Sequence, residues 1–121
     1  MTTKNARELA ETYFTAWEAG EFDTIRGLLA DNVDFVGALG TASGVEEALA
    51  GLQGLGRVLE KIDVKVRVAE GDEVITWFEL HTSVAEPTPT VNWMHVENGK
   101  IARIRVTFDP RALLAGFEKK G

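Results

Sequence analysis

The sequence predicts an α+β domain in which helices pack on one face of a curved antiparallel sheet. Three observations carry this. Through Gly56 the apolar residues recur mostly at helical spacing, and from Lys61 to Phe108 they alternate with period two. The alternating half is broken only by short turn signals such as "GD" and "ENGK", which join strands as hairpins rather than through crossover helices. Helices followed by a run of strands, with no internal repeat or linker, is the pattern of one α+β unit, taken here as residues 1–121.

The first helix is expected from Ala6 to Ala19. Leu9, Ala10, Tyr13, Phe14, Ala16 and Trp17 make its apolar stripe, Arg7, Glu8, Glu11 and Glu18 its polar side, and Gly20 its stop. A shorter helix follows in "FDTIRGLLA", with Asp23 as cap and Ile25, Leu28 and Leu29 turned inward. The segment "DNVDFVG" alternates as a short strand. Next, "TASGVEEALAGLQGLG" reads as a helix opened by a capping box between Ser43 and Glu46.

Four strands complete the chain. In "KIDVKVRVAE", Ile62, Val64, Val66 and Val68 are expected to be buried against outward Asp63, Lys65 and Arg67. "EVITWFELHTSV" follows the Gly71–Asp72 turn. "AEPTPT" reads as a proline-marked loop, "VNWMHV" as the next strand, and "IARIRVTF" as the last. Asp109 stands ready to cap a final helical turn in "PRALLAGF".

Composition narrows the function classes. A net charge of −6 opposes binding to phosphate backbones or anionic membranes, and Arg103 and Arg105 do not make a basic patch. No apolar run is long enough to span a bilayer, and the N-terminal stretch lacks a signal-peptide core, so a cytoplasmic location is expected. With two histidines, no cysteine and no helical His/Glu ligand spacing, neither a metal nor a nucleotide cofactor is expected.

The phrases "YFTAWEAGEFDTIRGLLADNVDFVG", "SGVEEALAGL" and "HVENGKIARIRVTFDP" resemble the SnoaL-like branch of the nuclear transport factor 2-like superfamily, which also holds ketosteroid isomerases, polyketide cyclases and limonene epoxide hydrolases. The resemblance covers nearly the whole chain. It implies a cone-shaped barrel open at one end, an interior for a small hydrophobic ligand, and a homodimer through the outer sheet face. It also places Tyr13 where ketosteroid isomerases keep an oxyanion-binding tyrosine, and Asn92 where they keep a protonated aspartic acid. The general-base aspartate of those isomerases aligns with Gly37, and the late aspartate of epoxide hydrolases and cyclases with Val106.

Glu79 and His81 are the remaining candidates for proton transfer. A turn centred between Glu86 and Pro87 sets His81 opposite Asn92, Glu79 opposite Met94 and Trp77 opposite Val96. A three-residue turn at "ENG" then pairs Met94 with Ala102 and Asn92 with Ile104. On this register Glu79, His81, Tyr13 and Asn92 form an acid–base group, lined by Trp17, Phe35, Trp77, Met94, Ile104 and Val106. A one-residue slip reverses every face. Val74, Thr76, Phe78 and Leu80 then line the core, and Glu79 and His81 face outward.

Two functions remain open. One is a cofactor-independent isomerase, cyclase or hydrolase acting by acid–base chemistry on a hydrophobic carbonyl or epoxide compound. The other is a non-catalytic, hydrophobic-ligand-binding or dimeric accessory domain. The homodimer is expected through an outer face carrying Phe78 and Trp93 beside Arg103 and Arg105.

Overall fold

Asn5 caps the first helix: its side chain accepts the Glu8 N–H at 2.9 Å, and the Glu8 carboxylate accepts the Asn5 N–H at 3.1 Å. From that start the computed structural model describes residues 5–120. The elements are α1 (Ala6–Ala19), α2 (Phe22–Leu28), β1 (Leu29–Gly37), β2 (Gly40–Ser43), α3 (Val45–Gly56), β3 (Leu59–Glu70), β4 (Glu73–Thr82), β5 (Ala85–Glu97), β6 (Lys100–Thr107) and α4 (Arg111–Lys120).

The strands form one curved, unclosed sheet in the order β2-β1-β6-β5-β4-β3. From β3 to β6 the chain is an antiparallel meander, whereas β1 joins β6 in parallel and extends the sheet by a further hairpin with β2. The helix α1 lays Leu9, Ala10, Tyr13, Phe14 and Trp17 onto the inner sheet face, where Phe14 meets Phe78 edge-on at 5.2 Å. Fully burying a side chain of the size of Leu9 or Phe14 contributes about 1.5–3 kcal/mol.

Several local expectations are corrected. Gly44, not Ser43, is the N-cap of α3; Ser43 instead donates its backbone N–H to Glu47 Oε1 at 2.9 Å. Glu21 precedes α2, leaving Asp23 inside the first turn rather than capping it. "AEPTPT" belongs to β5. Pro87 and Pro89 are tolerated there because β6 pairs with β5 only from Val91 onward, leaving their missing N–H groups unneeded. Asp109 accepts the Arg111 N–H at 3.1 Å, at the entry to α4.

The β4–β5 register differs from the expected one by an odd number of residues. Thr82 pairs with Ala85 around a tight turn, so Asn92 faces Thr76 instead of His81, and Phe78 faces Thr90. All of β4 therefore takes the other face: Val74, Thr76, Phe78 and Leu80 are buried, and Ile75, Trp77, Glu79 and His81 lie outside. The turn that follows β5 also differs. Asn98 and Gly99, with φ of 52° and 75°, form a two-residue hairpin turn. A bulge at His95/Val96 then sets Met94 opposite Ile104 and Asn92 opposite Val106.

A second bulge changes β3. Val64 pairs with Phe78 on the inner side, but Val66 pairs with Trp77 on the outer side, Lys65 being the extra residue. Val66 and Val68 are consequently 54% and 58% exposed rather than buried, and Val64, beside the bulge, is 40% exposed as well. Arg67 turns inward instead, lying over the Phe14 ring and donating from Nε to Thr76 Oγ1 at 3.0 Å.

Candidate ligand site

Between the inner sheet face and helices α1 and α3 lies a cavity of about 240 Å³. That is the space of roughly eight waters at ~30 Å³ each. Its walls come from α1 (Tyr13, Trp17), the β1–β2 hairpin (Phe35 to Ala42), α3 (Glu47 to Leu55) and the inner faces of β4, β5 and β6. Exposed Leu39, Thr41, Glu47 and Gly51 mark where it reaches solvent.

Trp17 is held firmly. Its indole N–H donates to the Leu52 carbonyl at 3.0 Å, a buried bond that joins α1 to α3. Tyr13 is 1% exposed, and desolvation by burial pushes its phenol well above the ordinary range, so it stays a neutral hydroxyl. Asn92 is 3% exposed, and its Oδ1 is buried without a hydrogen-bond partner. The Thr90 hydroxyl, close by on β5, is already committed to the Thr88 carbonyl at 3.0 Å. Tyr13 and Asn92 are thus the buried polar side chains of the lining with hydrogen-bonding capacity left to offer.

The expected residues divide into three groups. Tyr13, Trp17, Phe35, Asn92 and Val106 line the cavity. Met94 and Ile104 face one another across β5–β6 but are packed in the core behind the lining. Glu79, His81 and Trp77 are on the outer face, because of the β4 register, and the acid–base group drawn around them is not assembled. Phe78, expected outside, is a wall of the cavity.

No side chain replaces the missing base at Gly37. A Cβ built there would lie 2.9 Å from Phe35 Cε1, so the Phe35 ring occupies the space a longer residue would need. The carboxylate of the lining is Glu47, at the mouth, with one oxygen bound to the Ser43 N–H. Glu47 stands in the first turn of α3, where a negative charge suits the helix start, and only the fold shows that the same residue borders the cavity.

Outside the cavity, Asp63, Glu79 and His81 bring one potential metal-ligand atom each to within 4.8 Å of the others. Among the described residues no helix is long and apolar enough to cross a membrane.

Comparison with known proteins agrees with this architecture. The model of the SnoaL-like domain family matches residues 10–104. No curated protein matches the sequence. Solved structures resemble it over most of its length. An NTF2-like protein of unknown function from Cytophaga hutchinsonii is 24% identical, with a TM-score of 0.83 over 94% of this chain and 99% of that one. A candidate SnoaL-like polyketide cyclase from Jannaschia sp. is 19% identical, with a TM-score of 0.80 over 92% and 90%. A candidate ketosteroid isomerase from Kribbella flavida is 19% identical, with a TM-score of 0.77 over 86% and 77%. At these identities the likeness establishes the fold.

Proposed function

Because this chain belongs to the SnoaL-like domain family, and because its cavity is apolar except for Tyr13, Asn92, Thr90 and the mouth, we propose that it binds a small, flat, largely apolar molecule by a single oxygen function. The observation that carries the reading is the pairing of a neutral phenol with an unsatisfied amide in a wall otherwise made of Trp17, Phe35, Phe78, Leu80 and Val106. A pocket of this kind gains affinity from apolar contact and orientation from a few polar groups. Its volume suits a ligand of on the order of ten heavy atoms.

The test is a titration with naphthol, terpenoid and small steroid-like probes, read by tryptophan fluorescence. Trp17 reports from the cavity wall, whereas Trp77 lies outside. Saturable quenching is expected in the wild type and in Trp77→Phe but not in Trp17→Phe. A flat response to every probe rejects the proposal.

A catalytic reading has one specific support, the position of Glu47 at the mouth. A carboxylate there could take a proton from a bound carbonyl compound while Tyr13 and Asn92 receive charge on oxygen. Similar structures named for isomerase and cyclase activities favour that reading. Turnover of enones or β-keto esters that is lost in Glu47→Gln, with binding retained, would establish it.

The same proposal includes a homodimer. Val66, Val68, Ile75 and Trp77 are each at least 44% exposed and adjacent across β3–β4, an apolar patch of the kind that marks an interface. Arg103 and Arg105 border the outer face on β6, and Asp63 and Glu79 on β3–β4. A two-fold axis through the patch sets Val66, Val68, Ile75 and Trp77 of one copy over the same residues of the other, the self-complementary arrangement of an isologous interface, which favours a second copy as the occupant.

A further inference from the structure

The outer surface of the β3–β4 edge carries a chemistry-bearing cluster that the cavity does not use. Asp63 and Glu79 stand directly opposite one another across the antiparallel pair, and His81 follows Glu79 on the same face. Like charges directly opposite destabilise a ladder. Lys65 Nζ, 2.8 Å from Asp63 Oδ2, offsets one of the two.

His81 supplies a second observation. Its Nε2 is shielded from solvent and has no hydrogen-bond partner, and Glu79 Oε1 lies 4.0 Å away, too far to serve as one. Leaving such a nitrogen unpaired costs about 1–3 kcal/mol. An ion shared with the two carboxylates removes that cost and the like-charge repulsion together.

We propose that Asp63, Glu79 and His81 form a surface site for a first-row divalent cation, with zinc the best match. One imidazole nitrogen and two carboxylate oxygens suit an ion of borderline softness, and the remaining positions stay open to water. Zinc takes these donors at about 2.0–2.2 Å, so donor atoms must stand roughly 3–4 Å apart. The three donor atoms lie within 4.8 Å of one another, so binding requires the side chains to rotate and draw them together. The ion would pin β3, the edge strand, to β4 beside the Lys65 bulge. The other histidine does not compete. His95 has Nδ1 on Glu73 Oε2 at 2.5 Å and Nε2 on Glu97 Oε2 at 3.2 Å, so its two carboxylates lie against different nitrogens and do not converge.

Isothermal titration of the full chain with zinc chloride tests the site. One saturable equivalent is expected, weakened at least about tenfold by His81→Asn and by Asp63→Asn and unchanged by His95→Asn. Zinc should also raise the melting temperature of the wild type but not of His81→Asn. Circular dichroism of each variant confirms that it is folded. Absence of a saturable equivalent, or one that survives His81→Asn or disappears in His95→Asn, overturns the proposal. None of these readings depends on a ligand in the cavity.

Discussion

Thr76 stands directly across from Asn92 in the β4–β5 ladder, and both are buried. That single pairing places Phe78 and Leu80 in the cavity wall and turns Glu79 and His81 away from it. Glu79→Gln and His81→Asn should therefore leave probe affinity within about twofold, as outward positions usually tolerate change within about 0.5 kcal/mol. Asn92→Ala and Tyr13→Phe should each weaken an oxygenated probe about tenfold, the worth of one hydrogen bond near 1.4 kcal/mol. The corresponding hydrocarbon probe should bind all four variants alike. Loss of affinity in Glu79→Gln would contradict the register.

Tyr13 is the only tyrosine in the chain, so its ionisation can be followed without interference. Burial raises its pKa in the folded state, whereas the unfolded chain ionises near the ordinary value of about 10. Below that value both states hold the proton, and the stabilising difference is fully present. Above it the unfolded state loses its proton first, so stability falls by about 1.4 kcal/mol per pH unit until the folded pKa is passed. Tyrosinate absorbance should appear together with loss of helical circular dichroism. Ionisation well before unfolding would show that the phenol is not sealed in.

Gly116 is a close-approach position. A Cβ there would stand 2.1 Å from the Val84 carbonyl oxygen, so α4 packs its backbone directly on the β4–β5 turn. Gly116→Ala should cost about 1–3 kcal/mol through overpacking. Gly54, inside α3, has nothing within 4 Å of the corresponding point, and Gly54→Ala should add about 0.5–1 kcal/mol by helix propensity. Thermal melts of the two variants should shift in opposite directions.

Trp17→Phe removes the indole N–H donor to the Leu52 carbonyl, the buried bond that joins α1 to α3, together with part of the packed indole. A loss of about 1–3 kcal/mol is expected in urea unfolding. Stability equal to wild type would mean that water replaces the indole N–H.

Trp77→Lys places a charge in the middle of the exposed Val66–Trp77 pair. Sedimentation should show a dimer for the wild type at micromolar protein and a monomer for the variant, with an unchanged circular dichroism spectrum. A wild type that is monomeric throughout this range removes the dimer from the proposal.

The local chemistry of the chain determined its elements and its class. Helical spacing in α1, the αL glycine at Gly20 and the presence of a hairpin at "ENGK" act within a few residues of themselves, so they are legible without knowing what packs where, although the two-residue form of that hairpin turn and the bulge beside it are not. Tyr13 and Asn92, which the family resemblance sets in the site, and Trp17, Phe35 and Val106, expected to line it, do border one cavity. The faces of β4 and of the second half of β3 were decided only in three dimensions. In "EVITWFELHTSV" both alternating sets contain large apolar residues, Ile75 and Trp77 in one, Phe78 and Leu80 in the other, so burial by itself does not choose between them. The choice was made by a turn at Ser83–Val84 that carries no strong turn signal and by a bulge at Lys65 that no residue announces. Both are set by the fit of the strand pair against its neighbours and α1, a tertiary condition, and through them the fold moved Glu79 and His81 from the cavity to the surface where they meet Asp63.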